Sequence, residues 1–295
     1  MRGAHPEREL ERAVEQSGIV REGERLLIAC SGGPDSVALI AALHAAAKPN
    51  GWAIRAAYVN HGLRASAWQD ECVVLQLGAQ FEVPLDVVTL EAGSANEERL
   101  REARYDALID VAKRNGCTAV ATAHHAEDQS ETVLLALLRG AGPAGMRGMR
   151  ARRRLAAGID LVRPLLAVAS ESLRQYCHVR ALPYAVDPSN ADAGLRRNAV
   201  REALAALRPL FPGLDAAVAR AADVLGQEQD ALPHAELRRC VRERLEREEE
   251  LRDVDFLHVE AAVRALEGGR TGTFQMKSGV ALRIENGMLR GITRE

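Results

Sequence analysis

The chain has 295 residues, a formal net charge of −2 at pH 7, 47% hydrophobic residues and 3% aromatics. That is ordinary globular usage; it excludes a disordered tail protein, a core built on aromatic rings and a nucleic-acid binder that relies on overall positive charge. No apolar run approaches the roughly 18–20 residues of a membrane span, and the charged opening MRGAHPERELERAVEQSG lacks the apolar stretch of a secretory signal, so a cytoplasmic protein without membrane contact is expected.

RLLIAC (25–30) reads as the first strand, ending at a glycine pair. DSVALIAALHAAA (35–47) follows as a helix so apolar that it should be buried. WAIRAAYVN (52–60) is the second strand, and SAWQDECVVLQLGAQF the next helix, with Ser66 at its cap. PLDVVTL (84–90) is the third strand. In ANEERLREARYDALIDVAKRNG the residues Leu100, Ala103, Ala107, Leu108 and Val111 predict one apolar helix face, closed by Gly116. TAVATAH (118–124) is the fourth strand and AEDQSETVLLALLRG the helix after it. Apolar strands in strict alternation with helices predict an α/β protein, a Rossmann-like parallel sheet with helices on both faces. Ligands of such sheets bind beyond the C-terminal ends of the strands.

After Gly140 the pattern changes. GAGPAGMRGMRARRR, rich in Gly and Arg, reads as a mobile loop. IDLVRPLL is an extended piece, ESLRQYCHVRAL a helix, and a further helix starts at about Asn198. RPLFPG interrupts two helical stretches and sets the boundary between a larger domain over 1–211 and a smaller, mainly helical domain over 212–295, which carries a hairpin about Glu285-Asn286-Gly287. Charge follows a similar division. Residues 139–208 hold thirteen Arg against five acids, a local +8, whereas 213–295 hold thirteen Lys and Arg against sixteen acids, a local −3. An electropositive face on a near-neutral molecule suits a polyanionic partner. The cysteines (Cys30, Cys72, Cys117, Cys177, Cys240) are far apart with no C-x-x-C, which predicts buried thiols rather than a zinc site or a cysteine-bound cluster. Glu246 to Glu250 read as a solvated helix face, and Trp52 and Trp68 as packing residues more readily than as platforms for a base.

Three polar constellations stand at strand ends. Ser31-Gly32-Gly33-Pro34-Asp35-Ser36 joins the first strand to the first helix of the sheet; its glycines allow a tight turn that presents N–H groups to an anion, and the helix adds its N-terminal dipole. Neither G-x-x-x-x-G-K-[ST] nor G-x-G-x-x-G is present, so the lysine of ordinary ATPases and the dinucleotide fingerprint are both missing. Asn60 and His61, with Arg64, close the second strand and suit contact with a nucleotide or substrate. His124-His125-Ala126-Glu127-Asp128-Gln129-Ser130-Glu131-Thr132 starts at the end of the fourth strand. There Asp128 and Glu131 share a helix face and can point into one site.

SGGPDS resembles the pyrophosphate loop of the N-type ATP pyrophosphatases. Together with VNHGLRASA, NEERLREARY, ATAHHAEDQSETVLLALLRGAG, LVRPLL and DPSNADAGLRRNAVR, all between about 24 and 205, it resembles the tRNA(Ile)-lysidine synthetases. The tail is less similar, with Met276-Lys277-Ser278-Gly279 where a Leu-Pro-x-Gly turn is usual in that family. The resemblance implies ATP-dependent ligation of free L-lysine to the wobble cytidine of tRNA(Ile) with a CAU anticodon, by way of an adenylated base. It implies ATP at Ser31, Gly32, Gly33, Pro34, Asp35 and Ser36 with Asn60 and His61, and Mg2+ on Asp35 and Asp128. Asp128, Glu131 and Asp187 become candidates for the cationic ends of lysine. Arg104, Arg197 and Arg201 are candidates for phosphate or developing negative charge, and His124 for an α-phosphate contact or acid–base role. Arg147, Arg150, Arg152, Arg153 and Arg154 suit an RNA backbone. The resemblance leaves a homodimer as one candidate assembly, and a tRNA cytidine thiolase of the same superfamily is the rival reading, against which the missing paired cysteines speak.

Overall fold

The computed structural model describes residues 6–60, 67–90, 97–185, 195–231, 239, 241–243, 259, 262–264, 271–275, 280–285 and 288–294. The chain divides into two compact units, Met1–Glu131 with Met149–Ala216, and Thr132–Gly148 with Ala217–Glu295.

Alternating apolar residues build the first unit. The strands β1 (Arg25–Ala29), β2 (Ala53–Asn60), β3 (Leu85–Thr89), β4 (Ala119–Ala121), β5 (Arg152–Ala156) and β6 (Ile159–Val162) form one sheet in the order β3-β2-β1-β4-β6-β5. Leu26 and Ile28 of β1, Ala56 and Tyr58 of β2 and Ala119 and Ala121 of β4 enter one core, while Leu27, Ala57 and Val120 enter another on the opposite face. Strands buried on both faces must be apolar at every position, which is why they read as runs rather than as an alternation with polar residues. On the first face lie α1 (Pro6–Gln16), α2 (Pro34–Ala47), α3 (Ala67–Gln80) and α7 (Ser170–Val179); on the second lies α4 (Glu97–Arg114). Ten of the fourteen residues of α2 are buried, as its composition predicts. The buried stripe of α4 is Tyr105, Leu108, Val111 and Ala112, turned toward the tyrosine from the face read in the sequence, and Gly116 ends the helix at φ +63°.

Three differences from the sequence reading have local causes. The opening PERELERAVEQ is a helix, because Leu10 and Val14, four apart, bury one narrow stripe beneath a charged surface. The sheet is mixed: β1, β2, β3, β4 and β6 pair in parallel, and β5 pairs antiparallel with β6. The Gly- and Arg-rich stretch read as a mobile loop contains a single helical turn, α6 (Pro143–Met146), and then β5, so the arginines 152–154 stand on an edge strand. Gly158, at φ +75°, makes the tight return from β5 to β6.

The chain runs outward from β1 through β2 to β3, and α4 then carries it back to β4 on the other side of β1. The C-terminal ends of β1 and β4 therefore flank the point where the strand order reverses, the place where open α/β sheets bind ligands. The helix α5 (Ala126–Leu138) starts there, α8 (Leu195–Leu207) follows α7, and α9 (Leu214–Ala231) follows α8. In the second unit β8 (Val280–Glu285) and β9 (Met288–Arg294) form the expected hairpin, which β7 (Gly272–Gln275) extends to three antiparallel strands. No helix among the described residues is long and apolar enough to cross a membrane.

Candidate active site

Between β1 and α2 the chain makes the turn at residues 31–36, and the two glycines there do different things. Gly32 has φ +84°, and a Cβ on it would lie 3.0 Å from the backbone carbonyl oxygen of Asp70 in α3, so both conformation and space require glycine. Gly33 is extended (φ −74°, ψ 162°) and stands as the N-cap of α2 with Pro34 at the first helical position, where a Cβ would meet only ordinary contact at 3.7 Å. Only Gly32 is thus demanded by the turn, in place of the pair read from the sequence. Ser36 ties the turn together: its hydroxyl accepts from the Ser31 N–H (3.1 Å), donates to the Gly33 carbonyl (3.0 Å) and meets the Ser31 hydroxyl (3.2 Å). The Gly32 carbonyl accepts from the Ala185 N–H at 2.9 Å. The backbone is thereby fixed before any anion arrives, which is what preorganised binding by N–H groups needs.

Asp35, in the first turn of α2, faces the start of α5. His125 Nε2 lies 3.6 Å from Asp35 Oδ2 and 3.5 Å from Asp128 Oδ2, and His125 Nδ1 lies 3.0 Å from Glu127 Oε2. Asp128 accepts the His125 N–H at 3.1 Å, capping the helix that carries it. Glu127 accepts the Ser170 N–H (2.9 Å) and hydroxyl (3.0 Å), joining α5 to the start of α7. Burial raises the Asp35 carboxyl, His125 offsets part of that rise, and Asp128 and Glu127 add to it; the net shift is upward. Burial alone would lower His125, but the Glu127 hydrogen bond and the charges of Asp128 and Asp35 reverse it, so the imidazole is raised. Burial raises Glu127, and the His125 and Ser170 hydrogen bonds outweigh it, leaving the carboxyl well below its usual range. Asp35 Oδ1 is buried without a hydrogen-bond partner among the described residues.

A basic half lies alongside. Glu131, 3% exposed, holds two arginines of α8: Arg197 Nε at 3.2 Å and Arg201 Nε at 2.9 Å. Asp128 and Glu131, three apart on α5, thus have different partners: one carboxylate meets His125, the other two guanidiniums. His124 Nδ1 meets the Thr122 hydroxyl at 2.9 Å. Burial, followed by the charges of Arg163, Arg104, Arg101 and Arg197, pushes His124 down to about 3, so it stays a neutral imidazole at physiological pH. The guanidiniums of Arg101 and Arg104 lie 5.8 and 5.7 Å from the ring centre of Tyr105.

The PP-loop domain family matches residues 4–207, more than half of the chain and the whole of this constellation. The chain belongs to the PP-loop family. Over 207 residues it is 42% identical to a Ralstonia nicotianae protein named tRNA(Ile)-lysidine synthase, covering 68% of this chain and 44% of that one. A Salinispora tropica protein of the same name is 42% identical over 213 residues, covering 70% and 64%. The chain therefore spans from under half to just under two thirds of the length of these relatives. Among solved structures, the U34-tRNA thiolase NcsA from Methanococcus maripaludis, with its [4Fe-4S] cluster, has a TM-score of 0.63 at 17% identity over 74% of this chain and 78% of that one, a likeness of fold alone.

Within the PP-loop domain, the other residues singled out from the sequence are distributed as follows. Asn60 ends β2, its carbonyl accepting from the Leu90 N–H at 2.8 Å. His61 and Asp187 lie outside the described residues, as do Arg64, Ser66, Cys240, Glu246–Glu250 and 276–279. Arg152 is engaged inside the protein, its guanidinium 2.6 Å from Glu24 and 2.7 Å from Asp160 and donating to the Ile19 carbonyl at 2.9 Å. Arg153 and Arg154 are exposed, with Arg154 3.0 Å from Asp160. Cys30, Cys117 and Cys177 are buried thiols as expected, whereas Cys72 is exposed on α3. Trp52 packs in the core, and Trp68 is 61% exposed. Sequence reasoning passed over His125, Glu127 and Arg163. The first two lie inside the HHAED motif, where the imidazole followed two and three residues later by acids was the available signal.

Proposed function

We propose that this PP-loop protein is a tRNA(Ile)-lysidine synthetase, joining free L-lysine to C2 of the wobble cytidine of the CAU anticodon and releasing AMP and pyrophosphate. One observation carries the reading: at the switch point of the sheet, a turn built to present N–H groups meets both an acidic group (Asp35, Asp128) and an arginine group anchored on Glu131. The names of the relatives support it.

The cytidine O2 attacks the α-phosphorus of ATP and pyrophosphate leaves; the lysine ε-amine then attacks C2, AMP departs with that oxygen, and the amine loses a proton. The turn at 31–36 would hold the departing phosphates through backbone N–H groups, which explains why no Walker lysine is needed. Asp35, with its unpartnered buried oxygen, and Asp128 suit a hard cation, and Mg2+ held there would neutralise the leaving pyrophosphate. Arg197 and Arg201, oriented by Glu131, would meet charge developing on the transferred adenylate. A Glu131 carboxylate already paired with two guanidiniums acts more naturally as their anchor than as a lysine contact, so Asp128 and Asp187 become the preferred partners for the amino acid. His124, neutral in the free enzyme, would donate or accept a hydrogen bond at the phosphoryl group. We assign tRNA docking to the domain over 212–295 and to Arg153 and Arg154, and a cytoplasmic site of action follows from the substrates.

The test is incubation with ATP, labelled lysine and bacterial tRNA. Label in tRNA(Ile), with AMP and pyrophosphate as nucleotide products, is expected; ADP and phosphate as the main products would overturn the reading.

A further inference from the structure

Arg163 follows β6 directly and is 2% exposed, yet among the described residues it has no carboxylate partner. One terminal nitrogen donates to the Arg150 carbonyl at 2.6 Å, and its Nε has no hydrogen-bond partner among those residues. Burying an uncompensated cation costs several kcal/mol, and one backbone hydrogen bond does not require a full charge. Burial pulls the guanidinium down to about 10, with Arg153 and Arg101 adding to that and Tyr105 opposing it. The residues around it are left incomplete in the same sense: Arg104 Nε is also buried without a hydrogen-bond partner among the described residues, and the Tyr105 hydroxyl faces the Arg163 guanidinium without supplying a carboxylate charge. Arg101, Arg104 and Arg163 all act on His124, and among the described residues no carboxylate is paired with any of the three. Thr122 N–H donates to the Val162 carbonyl at 3.0 Å, so the chain leaving β6 at Arg163 runs beside the chain leaving β4 toward His124. Excess positive charge with orphaned polar atoms, at the C-terminal ends of two parallel strands, describes a receptor for an anion.

We propose that Arg163 is a positioning residue of an anion subsite at the ends of β4 and β6, in which Arg104 and His124 receive a phosphate group and Arg163 supplies the buried charge that attracts it. The inference deepens the function proposed above and rests on it for the two sources of phosphate, the nucleotide and the backbone of the RNA. Tyr105 keeps the arginines in place, carrying Arg101 and Arg104 against its ring and setting its hydroxyl beside the Arg163 guanidinium, the contact that Tyr105→Phe removes.

The test compares wild type with Arg163→Lys, Arg163→Gln and Tyr105→Phe in the full chain, measuring affinity for AMP, for pyrophosphate and for a synthetic CAU anticodon stem-loop at fixed salt. Removing the charge in Arg163→Gln should weaken at least one of these by roughly tenfold or more, the size expected of one unit charge acting over several ångströms in a partly buried setting. Arg163→Lys should restore most of the affinity. Loss confined to AMP or pyrophosphate identifies a nucleotide phosphate, and loss confined to the stem-loop a backbone phosphate. The His124 imidazole, followed by NMR, should titrate higher in Arg163→Gln than in wild type, which a purely structural role would not produce. Unchanged affinities in a folded Arg163→Gln protein would overturn the proposal, as would equal losses in the Gln and Lys variants with His124 unmoved. Should the Gln variant not fold, Arg163→Lys and Tyr105→Phe decide: severe loss of all three affinities in the charge-conserving variant would overturn it, while near wild-type binding there with weakened binding in Tyr105→Phe would support it. Wild-type chain that makes no lysidine yet binds these anions through Arg163 would sink the proposed reaction and leave the subsite standing.

Discussion

His124 and His125 are consecutive in the chain and titrate in opposite directions, because one faces arginines and the other faces carboxylates. For His124 this has a consequence for stability. The unfolded chain binds the proton near the ordinary value of 6.5, the folded chain only at about 3, so between them the unfolded state holds more protons. The stability associated with the neutral imidazole is complete above pH 6.5 and is lost as pH falls toward 3. His124→Gln should therefore flatten the acid limb: its midpoint in urea, relative to wild type, should improve steadily from pH 7 to pH 4. Parallel profiles would place His124 in a solvated setting.

Asp35→Asn should nearly abolish adenylation while leaving tRNA affinity within a few-fold of wild type. The carboxyl is raised by burial, so its charged form is held in the free protein at some cost, and the amide should fold at least as stably. Turnover, filter binding and thermal melting separate these effects. A fall in Tm together with equal losses in turnover and binding would make the residue structural.

Glu131→Gln unpairs Arg197 and Arg201 at once. Breaking a buried pair is costly, but the arginines are partly exposed (33% and 41%), so a loss of about 1–3 kcal/mol is expected. Activity should fall by more than that stability loss explains, since both arginines lose their orientation. A double-mutant cycle with Arg201→Gln should give coupling well above the roughly 0.5 kcal/mol of independent sites.

The basic edge strand divides into two kinds of arginine. Arg152→Gln removes the partner of a nearly buried Glu24 and should cost about 2–4 kcal/mol. The pair Arg153→Gln with Arg154→Gln should leave Tm within a degree or two. It should lower the salt slope of tRNA binding by somewhat under one unit for each RNA phosphate that is no longer neutralised. A slope unchanged across a salt series would return these two side chains to solvent.

Gly32→Ala meets two obstacles, a positive φ and the Asp70 backbone at 3.0 Å. A loss of roughly 1–3 kcal/mol is expected, with ATP affinity reduced, whereas Gly33→Ala should be close to neutral in stability. Chemical denaturation of both variants checks the distinction; similar losses would mean that the turn differs from the one described.

Much of the sheet was legible because its strands are short apolar runs and α2 is apolar almost throughout. The order of motifs at strand ends also placed the site, since a parallel sheet brings those ends together whatever the loops do. What escaped the sequence depends on partners distant in the chain. Leu10 and Val14 are too few apolar residues to announce α1 until α2 and α7 supply the surface they cover. Arg152 looks like its neighbours until Glu24, 128 residues earlier, is brought beside it. Arg163 in RPLL cannot be told from a surface arginine without its burial, and Gly33 cannot be told from Gly32 without a backbone angle.

The two halves of the site are mounted on supports of unequal rigidity. Asp35 begins α2, in which ten of fourteen residues are buried, whereas in α8, which brings Arg197 and Arg201, the buried residues among those described are Val200 and Leu204. Amide hydrogens of α2 should accordingly exchange at the rate of global unfolding, and those of α8 through smaller openings. Substrate would then enter against a fixed acidic wall while the arginine side gives way and returns, and slowed exchange confined to α8 would be the visible trace of a bound nucleotide.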